Sequence, residues 1–206
     1  MDRPNIVLIL TDQQSAQMMS CAGNIWLKTP ALDSLAARGV RFEKAFCTNP
    51  VCVPSRFSLF TGRYPSEIGQ RTNRWDGERL PRHIARSGLG HVLRDAGYET
   101  AYGGKEHLPK SSAEELGFDY ICKDERDELA RTATEWLKRP HDRPFMLVTS
   151  FINPHDICHL AINEFAVDGL DLFLKNKCVV EGETVAAAAR NPEGVDDETF
   201  FREYCP

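Results

Sequence analysis

The sequence predicts an α/β fold: a mainly parallel sheet with helices on both of its faces. Three observations carry that prediction. The runs Asn5–Leu10 and Phe145–Ile152 are almost continuously apolar, as in parallel strands covered on both sides. Segments with helical spacing of apolar residues separate the strand-like runs. A chain of 206 residues, 42% of them hydrophobic, is long enough to bury one sizeable core.

Taken in order, Asn5–Thr11 reads as a central strand buried on both faces. Thr29-Pro30 reads as an N-cap followed by a proline in the first turn, with Leu32, Leu35 and Ala36 as the apolar stripe and Gly39 as the stop. Pro54–Thr61 is a short helix stopped at Gly62, and Leu89–Ala96 another stopped at Gly97. Glu99–Gly103 is a short strand. Asp124–Lys138 reads as the clearest helix, with acidic residues in its first turn and Leu129, Ala133, Trp136 and Leu137 on one face. Phe145–Phe151 is the second buried strand. Beyond Ile162 short helices are predicted near Leu170–Leu174, Thr184–Arg190 and Thr199–Tyr204.

Composition excludes several classes of function. Lys and Arg number 25 against 30 Asp and Glu, and the net charge of −5 argues against a general nucleic-acid binder. No apolar run reaches the roughly 18–20 residues that cross a bilayer, so no membrane partner is expected. Met1-Asp2-Arg3-Pro4 leads straight into a strand without a signal-peptide pattern. The expected location is therefore cytoplasmic as written, or periplasmic or secreted if an upstream leader has been removed. Seven cysteines without a C-x-x-C pair fit neither a zinc site nor a disulfide scaffold, and a reducing compartment is the default.

Parallel sheets place ligands beyond the carboxyl ends of their strands. After the first strand comes Thr11-Asp12-Gln13-Gln14; after the second, Gly104-Lys105-Glu106-His107; after the third, Asn153-Pro154-His155-Asp156. Three strand ends thus offer a carboxylate, a lysine and two histidines to one rim. Cys52-Val53-Pro54-Ser55-Arg56 opens a helix, which places Cys52 near the positive end of the helix dipole and predicts a lowered thiol pKa. Arg56, four residues on, would reach an anion held at that helix end. Two readings stand on spacing alone: an oxyanion site with a reactive residue, or a buried cysteine beside a loop proline and a surface arginine. Arg71, Asn73, Arg74 and Trp75 lie in a loop that lines an anionic-sugar pocket or is simply solvated.

Cys52-Val-Pro-Ser-Arg56 with Leu59-Phe-Thr-Gly-Arg63 closely resembles the sulfatase signature, C-x-P-S-R followed by T-G-R. Pro4 to Gln14 resembles the family's first strand and metal loop, Gly97 to Leu108 its G-Y-x-T-A-x-x-G-K-x-H-L block, and Ser150 to His155 its later P-H motif. The likeness runs from residue 4 to about 157. It implies an alkaline-phosphatase-like α/β domain and a sulfuric ester hydrolase acting on a sulfated sugar or small molecule. It also implies that Cys52 is converted by a formylglycine-generating maturation enzyme, the hydrated formylglycine being the nucleophile. A divalent metal, Ca2+ or else Mg2+ or Mn2+, would be held by Asp12, Gln13 and residue 52. Gln13 stands where many members have a second Asp. By the same resemblance Arg56 holds the nucleophile's hydroxyl, Lys105 binds sulfate and His107 bonds to the formylglycine hydroxyl. His155 would contact the sulfate and protonate the leaving oxygen.

Asp-Gln also occurs in phosphonate-monoester-hydrolase-like branches, so a phosphonate monoester or phosphodiester hydrolase is the alternative. The Asp-Asn or Asp-His pair that closes the family's metal site has no counterpart in residues 157–206. The chain is therefore expected to be the amino-terminal part of a longer sulfatase catalytic domain, and to be inactive alone. A catalytically incomplete fragment without enzymatic function is the third reading.

Overall fold

Four strands form the sheet of the computed structural model, in the order β1 (Ile6–Asp12), β4 (Phe145–Pro154), β2 (Glu99–Gly104), β3 (Asp119–Cys122). The structure describes residues 3–156, 158, 194–196, 198, 199 and 202. The helices predicted near 170–174 and 184–190 lie outside these, as does most of 199–204. β2 pairs in parallel with β4, Glu99 facing Phe145 through to Gly104 facing Ser150, and in parallel with β3 on its other side. The helices are α1 (Pro30–Arg38), α2 (Cys52–Thr61), α3 (Arg82–Arg86), α4 (Leu89–Asp95) and α5 (Leu129–Lys138).

Alternation along the strands builds two cores. Ile6, Leu8 and Leu10 of β1, Met146 and Val148 of β4 and Tyr102 of β2 face Val53, Phe57 and Phe60 of α2, with Ile84 and Ala85 of α3. The opposite face carries Ala101, Phe145 and Leu147 against Ala133 and Trp136 of α5. Helices thus cover both faces of the sheet. Tyr102, fully buried, sits in edge-on contact with Phe60, Phe118 and Tyr120.

The chain divides into two compact units: Met1–Asp12 with Ala45–Asn153, and Gln13–Lys44 with Pro154–Pro206. The sheet, α2–α5 and both cores belong to the first. In the second, a polar knot joins a 3-10 turn at Ser20–Ala22 to α1. Asp33 there accepts from Ser20 Oγ at 2.7 Å and from the Cys21 amide at 2.8 Å.

Several elements differ from the sequence reading. Among the described residues β1, expected as a central strand, lies at the edge of the four, and Val7 and Ile9 are about half exposed. α5 packs on β2 and β3. α5 itself begins at Leu129, not Asp124. Asp124 Oδ1 instead accepts from the amides of Arg126 and Glu128, a side-chain turn that competes with helix. Thr29 does not cap α1 through its hydroxyl, which bonds to Ser20 and Asp33. α3 and β3 had no expected counterpart.

Candidate active site

α2 begins two residues earlier than the proline suggested. Cys52 is its first residue, and Pro54 sits within the first turn, where its missing N–H has no intrahelical partner to lose. Val53, Phe57 and Phe60, spaced by four and three, bury one face and fix the rotation of the helix. Gly62 closes it in the left-handed region, φ 68°, with its amide on Ser58 O. Asn73, from the loop before α3, accepts from the amide of Val53 at 3.0 Å and so caps the first turn from a distance.

The first strand ends at Asp12, and four predicted residues meet there. The Asp12 carboxylate is buried: Oδ2 accepts from Arg56 Nη2 at 2.9 Å and from Lys105 Nζ at 2.9 Å. Oδ1 accepts from Cys52 Sγ at 3.3 Å. Arg56 Nη1 donates to Lys105 O at 2.9 Å and to Ser150 Oγ at 2.8 Å. Tyr102 Oη donates to the same Lys105 carbonyl at 2.6 Å, and the Lys105 amide donates to Ser150 O at 2.7 Å. The turn that aims Lys105 depends on Gly104, whose φ is 88°; a Cβ there would lie 2.2 Å from Ser150 O.

Titration follows from this geometry. Burial by itself raises the Asp12 pKa, but the hydrogen bonds from Lys105 and Arg56 and the charge of Lys105 outweigh it. The carboxyl falls to about 2. The sequence expectation for Cys52 is overturned. Burial, and then the charge and hydrogen bond of Asp12, push its thiol up, and the nearby Lys105 and Arg56 only partly oppose them. Cys52 is therefore a protonated donor at neutral pH and a poor nucleophile as a free thiol. Burial likewise raises the carboxyl of Glu106, which accepts from the Ala113 amide.

The other predicted residues are placed as follows. His107 is exposed, two residues past Lys105, with φ 48°. Gln13 is in the second unit, exposed, at φ 64°; its Oε1 accepts from Cys158 Sγ at 2.6 Å. His155 follows β4, half-buried, and also belongs to the second unit. Tyr102, Ser150 and Asn73 complete the arrangement around Cys52 and Lys105. For Tyr102 and Ser150 the available signal was a polar side chain on a wholly buried strand. For Asn73 there was none beyond its loop.

As a metal site, Asp12 fits as one hard anionic ligand, held ionised. The cluster of Asp12, Cys52, Arg56 and Lys105 has one carboxylate and two cations already on it, far short of calcium's roughly six to eight oxygens. These four residues do not make a calcium site by themselves. Formylglycine at position 52 fits better. A hydroxyl in place of Sγ would find the same carboxylate acceptor.

A parallel sheet with helices on both faces and a buried ion cluster at its carboxyl end is an α/β domain, and its likeness to solved sulfatases places it in the alkaline-phosphatase-like class. The sulfatase family model matches residues 4–168, and the chain belongs to that family. It is 42% identical over 109 residues to the uncharacterized sulfatase YidJ of Escherichia coli K12, covering 52% of this chain and 21% of that protein. An N-acetylglucosamine-6-O-sulfatase of Bacteroides thetaiotaomicron is 35% identical over 122 residues, covering 57% and 20%. The solved structure of a 2-O GAG sulfatase superposes with a TM-score of 0.67 at 28% identity, over 79% of this chain and 38% of that one. The chain thus spans about a fifth of the length of these curated relatives. Members of the family generally use a divalent metal and a formylglycine.

Proposed function

We propose that this chain carries the nucleophile and sulfate-binding half of a sulfuric ester hydrolase acting on sulfated glycans or small molecules. One observation supports the reading above the others. The buried cluster of Asp12, Arg56 and Lys105 carries two positive charges against one negative, with Cys52 neutral. A buried excess positive charge is costly unless an anion answers it, and a sulfate monoester brings one negative charge.

The roles follow from which donors are already taken. Arg56 has Nη1 on two acceptors and Nη2 on Asp12, so it holds the frame. Among the described residues Lys105 makes one ion pair through Nζ, which leaves two N–H donors for a sulfate oxygen. Asp12 Oδ1 accepts a hydrogen bond from the group at position 52 and orients it. Formylglycine would supply a geminal hydroxyl as nucleophile, and a divalent metal, Ca2+ in this reading, would lower that hydroxyl's pKa. Asp12 is the ligand this unit offers such a metal. Gln13, His107 and His155 keep the roles their motif positions suggest: a metal ligand, a hydrogen bond to the nucleophile, and protonation of the leaving oxygen. The sulfated glycans of the relatives named above support the substrate class.

Coexpression with a formylglycine-generating enzyme tests the reading. Hydrazide labelling and peptide mass spectrometry should find an aldehyde at residue 52 and at no other cysteine, and none in Cys52→Ala. Titration should show 4-nitrophenyl sulfate binding more tightly than bis(4-nitrophenyl) phosphate. Modification of a different cysteine, or preference for the phosphodiester, overturns it.

A further inference from the structure

We infer that the loop Arg71–Trp75 is a specificity element that receives a second anionic group of the substrate through Arg71 and Arg74. This deepens the sulfate-ester reading above and rests on it. The loop is built rather than loosely solvated. Gln70, 1% exposed, donates from Nε2 to Arg74 O at 3.0 Å and also to Thr72 O. Lys110, 3% exposed, pairs with Asp76 Oδ2 at 2.8 Å, so a buried ammonium fixes the far end of the loop. Asn49 Nδ2 donates to Arg71 O at 3.1 Å, and Trp75 Nε1 donates to Glu78 O at 2.8 Å.

The loop is fixed beside the candidate nucleophile. Asn73 Oδ1 accepts from the amide of Val53, the residue after Cys52. Arg74 is its chain neighbour and Arg71 lies two residues away, within about 7 Å along an extended backbone. Among the described residues neither guanidinium has an anionic partner, and both residues are exposed, as is the Trp75 ring. Two unpaired planar forks on an anchored loop suit a sulfate or carboxylate. With Lys105 on the reacting sulfate, the loop is then in reach of a second anionic substituent of the same saccharide.

The test compares D-glucosamine 6-sulfate with D-glucosamine 2-N,6-O-disulfate by calorimetry on the 206-residue chain, with inorganic sulfate as the reference for the Lys105 site. The disulfate should bind about tenfold more tightly than the monosulfate, the magnitude of one charge-assisted contact. In Arg71→Ala/Arg74→Ala the ratio should fall to about one while inorganic sulfate binds as before. Arg86→Ala, an exposed arginine elsewhere on the unit, should leave the ratio unchanged. Equal binding of the two sugars by the wild-type chain, or an unchanged ratio in the double variant, overturns the loop assignment alone. Failure of sulfate and both sugars to bind overturns it together with the sulfate-ester reading.

Discussion

Replacing Asp12 by Asn removes the one negative charge between two buried cations and keeps the shape of the side chain. Breaking a buried ion pair from one side costs about 3–5 kcal/mol, because the stranded charges stay desolvated. Part of that cost depends on pH. The Asp12 carboxyl falls from 3.8 to about 2 on folding, and its side chain is only 7% exposed, so solvent screening takes little from the effect. The difference amounts to about 2 kcal/mol. Because the folded pKa is depressed, this stabilisation is complete above pH 4 and is lost as pH falls toward 2. About half, roughly 1 kcal/mol, should be gone by pH 3. Asp33, Asp76, Glu99 and Asp124 also have lowered pKa values, but they are common to both proteins and cancel in the comparison. Urea unfolding followed by circular dichroism at pH 7, 5 and 3, in chloride of constant ionic strength, gives the gap directly. The gap should be about 3–5 kcal/mol at pH 7 and narrow by about 1 kcal/mol at pH 3. A gap under about 1 kcal/mol at pH 7, or one that does not change with pH, would refute the cluster's electrostatics.

Four further outcomes follow from the same geometry. Cys52 should react with iodoacetamide at pH 8 far more slowly than exposed Cys47, and Asp12→Asn should speed it, since Asp12 helps hold the thiol protonated; peptide mass spectrometry reads both rates. Gly104→Ala should lower stability by about 2 kcal/mol or more, seen as a fall in Tm, because its φ is 88° and the new Cβ meets Ser150 O. Asn73→Ala should cost about 1 kcal/mol in urea unfolding through loss of the cap on α2. Residues 1–206 alone should bind calcium weakly and turn over no aryl sulfate even with Cys52 converted; tight one-to-one calorimetric binding with turnover would show a complete metal site.

The sequence was most legible where a single periodicity acted alone. α2, α4, β2 and β4 fell within a few residues of their expected bounds because Gly62, Gly97 and the apolar runs mark them locally. α5 was misread at its start because Asp124 and its acidic neighbours suit a first helical turn as well as they suit the side-chain turn they form. β1 was misread because an apolar strand does not reveal whether a helix will cover it. The site was legible as residue types at strand ends. Its charge balance was not: Cys52 looked activated by a helix terminus, and its burial together with the 3.3 Å approach of Asp12 Oδ1 reverses the sign. The framing by Ser150 and Asn73 depends on contacts across 94 and 20 residues, which no local pattern encodes.

Titration of the isotope-labelled chain with inorganic sulfate at pH 7, followed through the backbone amide of Val53, is the most direct test of an anion site beside Cys52. The wild-type chain should show a saturable one-to-one shift, and Lys105→Met should weaken binding about tenfold or more by removing the cation with donors to spare. No saturable shift at Val53, or binding that survives Lys105→Met unchanged, would contradict a sulfate site at this cluster.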